Sequence, residues 1–288
     1  MPDPSIQIYG AGTMDAGMGL PEAERQLSFG ERLWNAGWLR KTLFLIVLGL
    51  IWEGYARYLD NPLLFPTLSE TLEAGRDAVL SGVLPARAWT SLRVLLIGYS
   101  LGILLAAALT ITAISTRIGT DILETLTAMF NPLPAIALLP LALIWFGLGT
   151  GSLVFVLIHS VLWAVALNTH AGFLGVSQTL RMVGRNYELR GLRYVWLVLI
   201  PAAFPSILTG LKVGWAFAWR TLIAAELVFG VSSGKGGLGW FIFENRNILE
   251  IPSVFAGLLT VILIGLAVEN LVFRTIEQRT VRRWGVQG

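Results

Sequence analysis

Six apolar segments, each close to the length of one membrane crossing, divide this 288-residue chain. A helix needs about 20 apolar residues to cross the hydrocarbon core of a bilayer. Lipid offers the backbone no hydrogen-bond partners, so segments of this kind cross it as helices. The sequence therefore predicts an all-α polytopic membrane protein with six transmembrane helices. We place them at about 41–59, 90–114, 124–146, 152–172, 201–229 and 254–274.

The composition agrees with a chain surrounded by lipid. Hydrophobic residues make up 55% of it and charged residues only 14%, whereas soluble domains carry about 25% charged residues. There is no cysteine, which excludes disulfides and thiolate metal ligands. The only histidines are His159 and His170, which makes a histidine-built metal site improbable. We therefore expect no metal or cofactor bound by this chain itself.

The positive charges fall on one side of the membrane if there are six crossings. Cytoplasmic loops are enriched in Lys and Arg, and an odd number of crossings would destroy this bias. We therefore expect both termini in the cytoplasm. Residues 1–40 lack the features of a signal peptide and are interpreted as a cytoplasmic tail that ends in an amphipathic helix at 29–40. The residues that set this orientation are Arg25, Arg32, Arg40, Lys41, Arg117, Arg181, Arg185, Arg190, Arg193, Arg274, Arg279, Arg282 and Arg283.

Two segments lie on the opposite, external side. Residues 60–88 predict a turn followed by a helix with Thr67 or Ser69 as its N-cap. Residues 230–252 predict a tight turn and then an interfacial helix around the aromatic pair of "GWFIF". The stretch "GVSSGKGG" in this second segment is not a Walker A loop, because it has three residues before Gly-Lys instead of four and no Ser or Thr after it. We therefore expect no ATP hydrolysis by this chain. We also expect no nucleic acid partner.

Three prolines interrupt the third apolar segment, "NPLPAIALLPLALIWFG": Pro132, Pro134 and Pro140. Proline removes a helical hydrogen bond and bends the helix. Broken helices in membranes line a cavity or pack against protein. Both interpretations stand at this point, a wall of a transport pathway or a bend required only for packing.

The fifth segment carries three ionisable residues, Lys212, Arg220 and Glu226. Lys212 lies near its cytoplasmic end and can extend to the interface, whereas Glu226 lies near the external end. Arg220 is the deepest, about 6 Å beyond the midpoint at 1.5 Å per residue. A charge at that depth is costly unless it is paired or hydrated, and it is a functional-site hypothesis by default.

The position of Arg220 leaves two interpretations open. Glu226 is six residues away, about 240° around the helix, so the two should not pair. Arg220 then needs a carbonyl, a water or an anionic ligand. It either contacts an anion in a translocation path or binds carbonyls of the bent third helix.

The fourth segment offers no catalytic arrangement. His159 stands beside Ser160, but no acid is placed by sequence to orient it. A hydrogen bond from His159 to a neighbouring helix is therefore favoured over a catalytic role. The candidate pathway residues are Arg220, Trp219, Glu226, Pro134 and His159.

The loop 176–200 carries the densest cluster of arginines, within "RMVGRNYELRGLRYVWLVLIP". We predict a short helix over 176–190, a break at Gly191, and a second helix that runs into Pro201. A solvated loop on the positive side would explain the charge alone. Its apolar residues favour a helix that docks on another protein. They are Met182, Val183, Tyr187 and Leu189.

This loop and the helix after it resemble the coupling region of ABC-importer permeases, in particular the sulfonate/taurine/nitrate branch. The resemblance covers about residues 41–285 and is carried by "TSLRVLLIGYSLG", "NPLPAIALLPLALIWFGLG", "IPAAFPSILTGLKVGWAFAWRTLIAAEL" and "GGLGWFI". The family's loop signature is EAA, three residues, glycine, nine residues, then I-x-L-P. Aligned on "VLIP", residues 182–184 stand at EAA and Glu188 at the glycine, so the sequence departs at both positions.

The resemblance implies a type I importer permease in a bacterial inner membrane. Two permease chains, expected as a homodimer, would form the pathway for a small anion: a sulfonate, taurine, nitrate, bicarbonate or an aromatic carboxylate. An external binding protein would deliver the substrate, and a cytoplasmic ATPase dimer would hold the ATP and magnesium. The residues that would couple to the ATPase are Met182, Val183, Gly184, Arg185, Tyr187, Glu188, Leu189, Arg190 and Gly191.

Two other classes of function remain open on sequence alone. An ion-gradient-driven secondary transporter would need ionisable carrier groups near the midplane, for which Glu53 is the main candidate. A membrane scaffold without transport activity would need none. Both would purify without a nucleotide-binding subunit, so a pull-down separates them from an ABC permease.

Overall fold

The computed structural model describes residues 37–229 and 236–280, which are helical apart from short turns. Most of the predicted tail and of the helix at 29–40, and loop residues 230–235, lie outside this part. A 3₁₀ turn (Ala135–Leu138) precedes α5, and π-helical turns, Val195–Leu199 and Val268–Phe273, precede α9 and α12. The helices are α1 Gly37–Leu59, α2 Leu68–Leu80, α3 Val83–Ser115, α4 Arg117–Phe130, α5 Leu139–Phe146, α6 Thr150–Leu174, α7 Gln178–Asn186, α8 Gly191–Tyr194, α9 Ile200–Phe229, α10 Leu238–Asn247, α11 Ile251–Ala267 and α12 Arg274–Arg279.

The chain divides into two compact units, Met1–Ile51 and Trp52–Gly288, with the boundary inside α1. In the first unit, the described residues are helical and carry the apolar run "LFLIVLGLI". The second unit contains the end of α1 and all of the helices from α2 to α12. The candidate site lies within this second unit.

Helices of membrane-spanning length occupy the predicted segments. Within the described residues, five stretches are long and apolar enough to cross a bilayer, and a bent pair, α4 with residues 135–146, makes a sixth if it counts as one span. The all-α polytopic prediction is therefore confirmed, while the cytoplasmic position of both termini stays a prediction. The five stretches are Gly37–Leu59, Val83–Ser115, Thr150–Leu174, Val195–Val228 and Ile251–Arg279.

The third predicted span, 124–146, is bent as its prolines indicate, and the bend is a sharp corner. α4 ends at Phe130, and its axis is bent by 88° from that of residues 135–146. Pro132 and Pro134 lie in the turn between these arms. Pro140 lies in the first turn of α5, where a missing N–H costs little. Pro132 and Pro134 thus lie at a corner between two helices, and Pro140 lies at the beginning of the second one. None of the three kinks a continuous helix.

The centre of the second unit is α6, which packs against both α3 and α9. Two glycines of α3 allow the close approach. A Cβ at Gly98 would lie 2.5 Å from Leu157 Cβ, and one at Gly102 would lie 2.7 Å from Val161 Cβ. Small residues at helix interfaces let backbones in membranes come together. The side chains of α6 are therefore held in a fixed position beside α9.

Both predicted external helices are present. Thr67 rather than Ser69 caps α2: its hydroxyl accepts the N–H of Glu70 at 3.1 Å, and the Glu70 carboxylate accepts the N–H of Thr67 at 2.8 Å. This reciprocal pair is a capping box. In α10, Trp240 is partly exposed, but Phe241 is buried. That helix is therefore packed against the protein on one side and is more than an interfacial segment.

Lys212 of α9 forms ion pairs with two carboxylates near the end of the described chain. Its Nζ lies 2.6 Å from Glu277 Oε2 and 3.8 Å from Glu269 Oε1. The ion pair joins α9 to the last turns of the described chain. Lys212 therefore has a structural partner, which the sequence distance of more than fifty residues concealed.

Candidate functional site

A cavity of about 340 Å³ lies between the proline corner, α6 and α9. It brings together Arg220, His159 and Pro134 of the predicted pathway residues. Trp219 and Glu226 do not line it, in contrast to our expectation. The lining residues are Asn131, Pro132, Leu133, Pro134, Ala135, Ile136, His159, Ser160, Trp163, Phe217, Arg220 and Thr221.

Arg220 is exposed to this cavity and is held by its own helix. Its Nε donates to the carbonyl of Ala216 at 3.1 Å, and its Cζ lies 5.2 Å from the centre of the Phe217 ring. Among the described residues, no carboxylate lies within ion-pair distance of the guanidinium. The alternative of carbonyls from the bent third segment is therefore not what the structure shows. The guanidinium keeps most of its five donors available to a ligand.

The wall contributed by α6 carries hydrogen-bonding groups without protein partners. Both ring nitrogens of His159 and the Nε1 of Trp163 are buried and lack a partner in the described chain. The favoured interpretation of His159, a hydrogen bond to a neighbouring helix, is therefore wrong. Phe130 stacks on Trp163 with ring centres 5.5 Å apart and fixes the indole in place. A buried donor without a partner is costly, and because both residues line the cavity, they are candidate contacts for a bound group.

A pair of hydroxyls completes the polar lining. The Ser160 hydroxyl donates to Thr221 Oγ1 at 3.1 Å and links α6 to α9. None of the described residues that line this cavity is acidic. A guanidinium, an indole N–H and hydroxyl donors around one space form a site for an anion.

Sequence reasoning missed several members of this lining, although their spacing was a signal. His159 and Trp163 are four residues apart on α6, and Phe217 and Thr221 are four apart on α9, so each pair shares a helix face. That spacing around Arg220 and His159 could have identified them. The presence of Asn131 could not be inferred, because only the 88° corner brings its turn to this position.

Trp219 and Glu226 lie on other faces of α9. The Trp219 side chain is buried, and its Nε1 donates to the carbonyl of Val261 on α11 at 3.3 Å. Glu226 is completely buried. Both residues connect helices within the described structure, and neither opens on the cavity of Arg220.

The buried carboxylate of Glu226 is the centre of a hydrogen-bonded clamp. It accepts the hydroxyl of Ser91 on α3 at 2.8 Å and the backbone N–H of Gly239 on α10 at 2.8 Å. Ser91 Oγ in turn accepts the N–H of Leu238 at 2.8 Å. Two of the backbone donors that a helix N-terminus leaves unsatisfied are thus bonded by side chains of other helices. We call Glu226, Ser91 and their bonds to α10 the Glu226 clamp.

Arg87 extends this contact along α3. Its guanidinium donates to the carbonyl of Gly236 at 3.0 Å and to the carboxylate of Glu244 at 3.1 Å. Arg87 and Ser91 are one helical turn apart and so face the same side of α3. The start of α10 is therefore fixed to α3 on both sides of the Glu226 clamp.

The predicted coupling segment contains the short helix α7 and a break at Gly191, both as expected. The helix ends at Asn186, four residues earlier than predicted, and Glu188 and Gly191 have positive φ angles of 54° and 56°. Gly184 packs on Tyr194, where an added Cβ would lie 2.8 Å from Cε2. The side chains of Met182, Val183, Arg185, Tyr187, Glu188 and Arg190 are exposed, and that of Leu189 is half-buried.

The helical spans, the cationic cavity and the exposed segment between α6 and α9 are features expected of a polytopic membrane permease. The chain matches the family model described as "Binding-protein-dependent transport system inner membrane component" over residues 98–282. It therefore belongs to this family and is the inner-membrane component of a binding-protein-dependent transport system. This confirms the predicted resemblance.

Several proteins similar to this chain are also transport permeases. The chain is 30% identical to a putative ABC transporter permease protein of Methanocaldococcus jannaschii, over 77% of this chain and 83% of the relative. It is 27% identical to the taurine transport system permease protein of Escherichia coli, over 81% of this chain and 85% of the relative. It is 30% identical to the nitrate import permease protein of Synechocystis, over 64% of this chain and 66% of the relative.

Proposed function

We propose that this chain is the translocation subunit of an ATP-driven importer for a small anion, and that Arg220 contacts the anion during passage. The observation that carries the proposal is the Arg220 guanidinium, which faces a cavity of about 340 Å³ without a carboxylate in its lining. Charged hydrogen bonds to a carboxylate, sulfonate or nitrate are stronger than neutral ones. The taurine and nitrate permeases among the relatives support this substrate class.

His159, Trp163 and the Ser160–Thr221 pair would complete the anion's surroundings. His159 and Trp163 have unpartnered nitrogens at the cavity, and the hydroxyl pair lies on the lining between the two helices. Prolines of the corner, including Pro134, also line the cavity and belong to a different element from these donors. Together they would orient a small anion that Arg220 attracts.

The partners follow from the family. A second copy of this chain would complete the pathway, an external binding protein would deliver the anion, and a cytoplasmic ATPase dimer would bind ATP and magnesium. ATP binding would favour an outward-open state and hydrolysis would release it, which is a population shift between two states. In this arrangement both termini and α7 face the cytoplasm, as the positive charges indicate.

Transport in proteoliposomes tests the role of Arg220. The assembled transporter would be reconstituted with its binding protein, and ATP-dependent uptake of taurine and of nitrate would be measured for Arg220→Gln. We expect uptake to fall at least about tenfold. Arg76→Gln is the matched control, because Arg76 is exposed on α2 and does not line the cavity. Unchanged uptake in the Arg220 variant would refute the anion contact.

Cysteine crosslinking tests the coupling segment. The chain has no cysteine of its own, so a single cysteine at Tyr187 or Glu188 gives an unambiguous product. We expect efficient crosslinking to the ATPase in the assembled complex, and none from a control cysteine at Tyr58, which is 85% exposed near the end of α1. Equal crosslinking from all three positions would argue against specific docking.

A further inference from the structure

Two adjoining cavities lie beside the short helix α7, apart from the cavity of Arg220. The first has a volume of about 480 Å³ and is lined by Arg181, Arg185, Leu189, Arg190, Gly191 and Tyr194. The second, of about 540 Å³, shares Arg181, Gly191 and Tyr194 with the first. The two cavities therefore adjoin at these residues, and we call them together the basic crevice.

The mouth of the basic crevice is strongly cationic. Arg181 donates to the carbonyl of Phe173 at 2.6 Å and to that of Val176 at 3.1 Å, which fixes its guanidinium where the two cavities join. Arg185 and Arg190 line the mouth, and neither has a carboxylate within ion-pair distance among the described residues. Within residues 37–229 and 236–280, no acidic side chain lines either cavity. The mouth is therefore suited to an anionic group such as a phosphate.

The inner part of the crevice has a different chemistry. Most of its lining is apolar, with contributions from the end of α3, the end of α6 and the π-helical turn before α9. Ser115, Thr120 and His170 are the polar members of this inner lining. Its apolar residues offer an acyl chain a surface to bury, which a soluble phosphate does not use. The apolar lining residues are Ile111, Ala113, Ile114, Phe173, Leu174, Val195 and Leu199.

We propose that the basic crevice binds an acidic phospholipid, with its phosphate at Arg185 and Arg190 and part of an acyl chain along the apolar lining. Basic recesses between transmembrane helices bind lipid headgroups, and each nearby Lys or Arg contributes about 1 kcal/mol to the attraction. The lipid would connect the end of α3 with the segment after α7. The crevice shares Arg185, Leu189, Arg190 and Gly191 with the segment expected to couple to the ATPase, whereas Met182, Val183 and Tyr187 do not line it. The lipid and the ATPase would therefore occupy neighbouring parts of one segment.

Lipid titration of the purified full-length chain tests this site. The delipidated protein would be titrated with phosphatidylglycerol and, separately, with phosphatidylcholine, and retained lipid counted by native mass spectrometry. We expect one phosphatidylglycerol per chain to bind at least about tenfold more tightly than phosphatidylcholine. Arg185→Gln and Arg190→Gln should each weaken phosphatidylglycerol binding about fivefold. Both side chains are exposed, so neither substitution should affect folding.

Two controls separate the site from general surface charge. Arg193→Gln removes a nearby arginine that lines neither cavity, and it should leave the affinity unchanged. Ile114→Trp fills the apolar part and should weaken phosphatidylglycerol binding while all arginines are retained. The proposal is overturned if Arg193→Gln weakens binding as much as the other two variants, or if both lipids bind equally.

A soluble competitor distinguishes a lipid from a free phosphate ester. Glycerol 3-phosphate carries the headgroup charge without acyl chains, and we expect it to displace phosphatidylglycerol only at concentrations at least about a hundredfold higher than the lipid. Displacement at comparable concentrations would show that the crevice holds a soluble phosphate and would refute the lipid proposal.

Discussion

Arg220 and Glu226 are six residues apart on the same helix, yet the structure gives them opposite surroundings. Arg220 is exposed to a cavity, and in the described part of the chain it donates to the carbonyl of Ala216 on its own helix and lies over the Phe217 ring. Glu226 is completely buried and accepts hydrogen bonds from two other helices. The six-residue separation, about 240° of rotation, points them to different sides of α9.

The difference teaches that an ionisable residue within a membrane span is not by itself a sign of substrate contact. Such residues are expensive and commonly functional, but a network that satisfies the polar group makes it a structural element. Glu226 meets that condition within the described residues, and Arg220 does not. The unsatisfied group that faces a cavity is therefore the better candidate for transport, and the satisfied one for stability.

Removing the Glu226 carboxylate should have the largest effect on stability. In Glu226→Ala, the Ser91 hydroxyl and the Gly239 N–H lose their acceptor in a buried place, which costs about 3 kcal/mol. We expect the apparent melting temperature in detergent to fall by roughly 10 °C. Glu244→Ala is the control, because it breaks only the exposed pair with Arg87 and should cost less than about 1 kcal/mol. Equal losses in both variants would contradict the clamp.

Arg220→Gln should show the reverse pattern, with a large effect on transport and a small one on stability. The side chain is exposed, and its hydrogen bond to Ala216 and its contact with Phe217 are both local to α9, so the melting temperature should change by no more than about 2 °C. Uptake should nevertheless fall at least about tenfold. A melting temperature lowered as far as in Glu226→Ala would mean that Arg220 is structural, and the comparison would fail.

Gly239→Ala tests whether the Glu226 clamp depends on close approach of the backbone. A Cβ at Gly239 would lie 2.5 Å from Glu226 Cβ and 2.6 Å from the carbonyl oxygen of Ile223, so α10 would have to move. We expect a cost of about 2 kcal/mol and a melting temperature lower by roughly 6 °C. In the control Gly75→Ala, the new Cβ meets Ala256 Cβ at an ordinary 3.5 Å. That variant should not be destabilised.

Trp163→Phe should have the smallest effect and the most specific one. The Nε1–H of Trp163 is buried at the cavity without a partner, so its removal should leave the melting temperature unchanged or raise it. Uptake should fall about threefold if this donor contacts the anion. In Trp219→Phe, by contrast, the bond to Val261 is lost, so stability should fall slightly and uptake per folded protein should not. If Trp219→Phe lowered uptake and Trp163→Phe lowered only stability, Trp163 would not belong to the pathway.

Much of the fold could be predicted because it depends on local properties of the chain. Apolar length predicts the spans, Thr67 or Ser69 is predicted as the cap of α2, and Gly191 predicts a break after α7. The 88° corner was harder to predict, because Pro132 and Pro134 were equally compatible with a bend of a single helix. The ion pair of Lys212 with Glu277 joins residues far apart in the chain, and no local pattern indicates it.

For the candidate site, the sequence by itself determined that Arg220 is a membrane-embedded charge that cannot pair with Glu226, because helical rotation is a local property. Only the tertiary structure decided what each residue faces. His159 and Trp163 of α6 reach the cavity, and Trp219 is turned to α11, because helices are fixed in rotation by packing against their neighbours. The structural role of Glu226 also depends on the tertiary structure, because its partners on α3 and α10 meet it only in the folded chain.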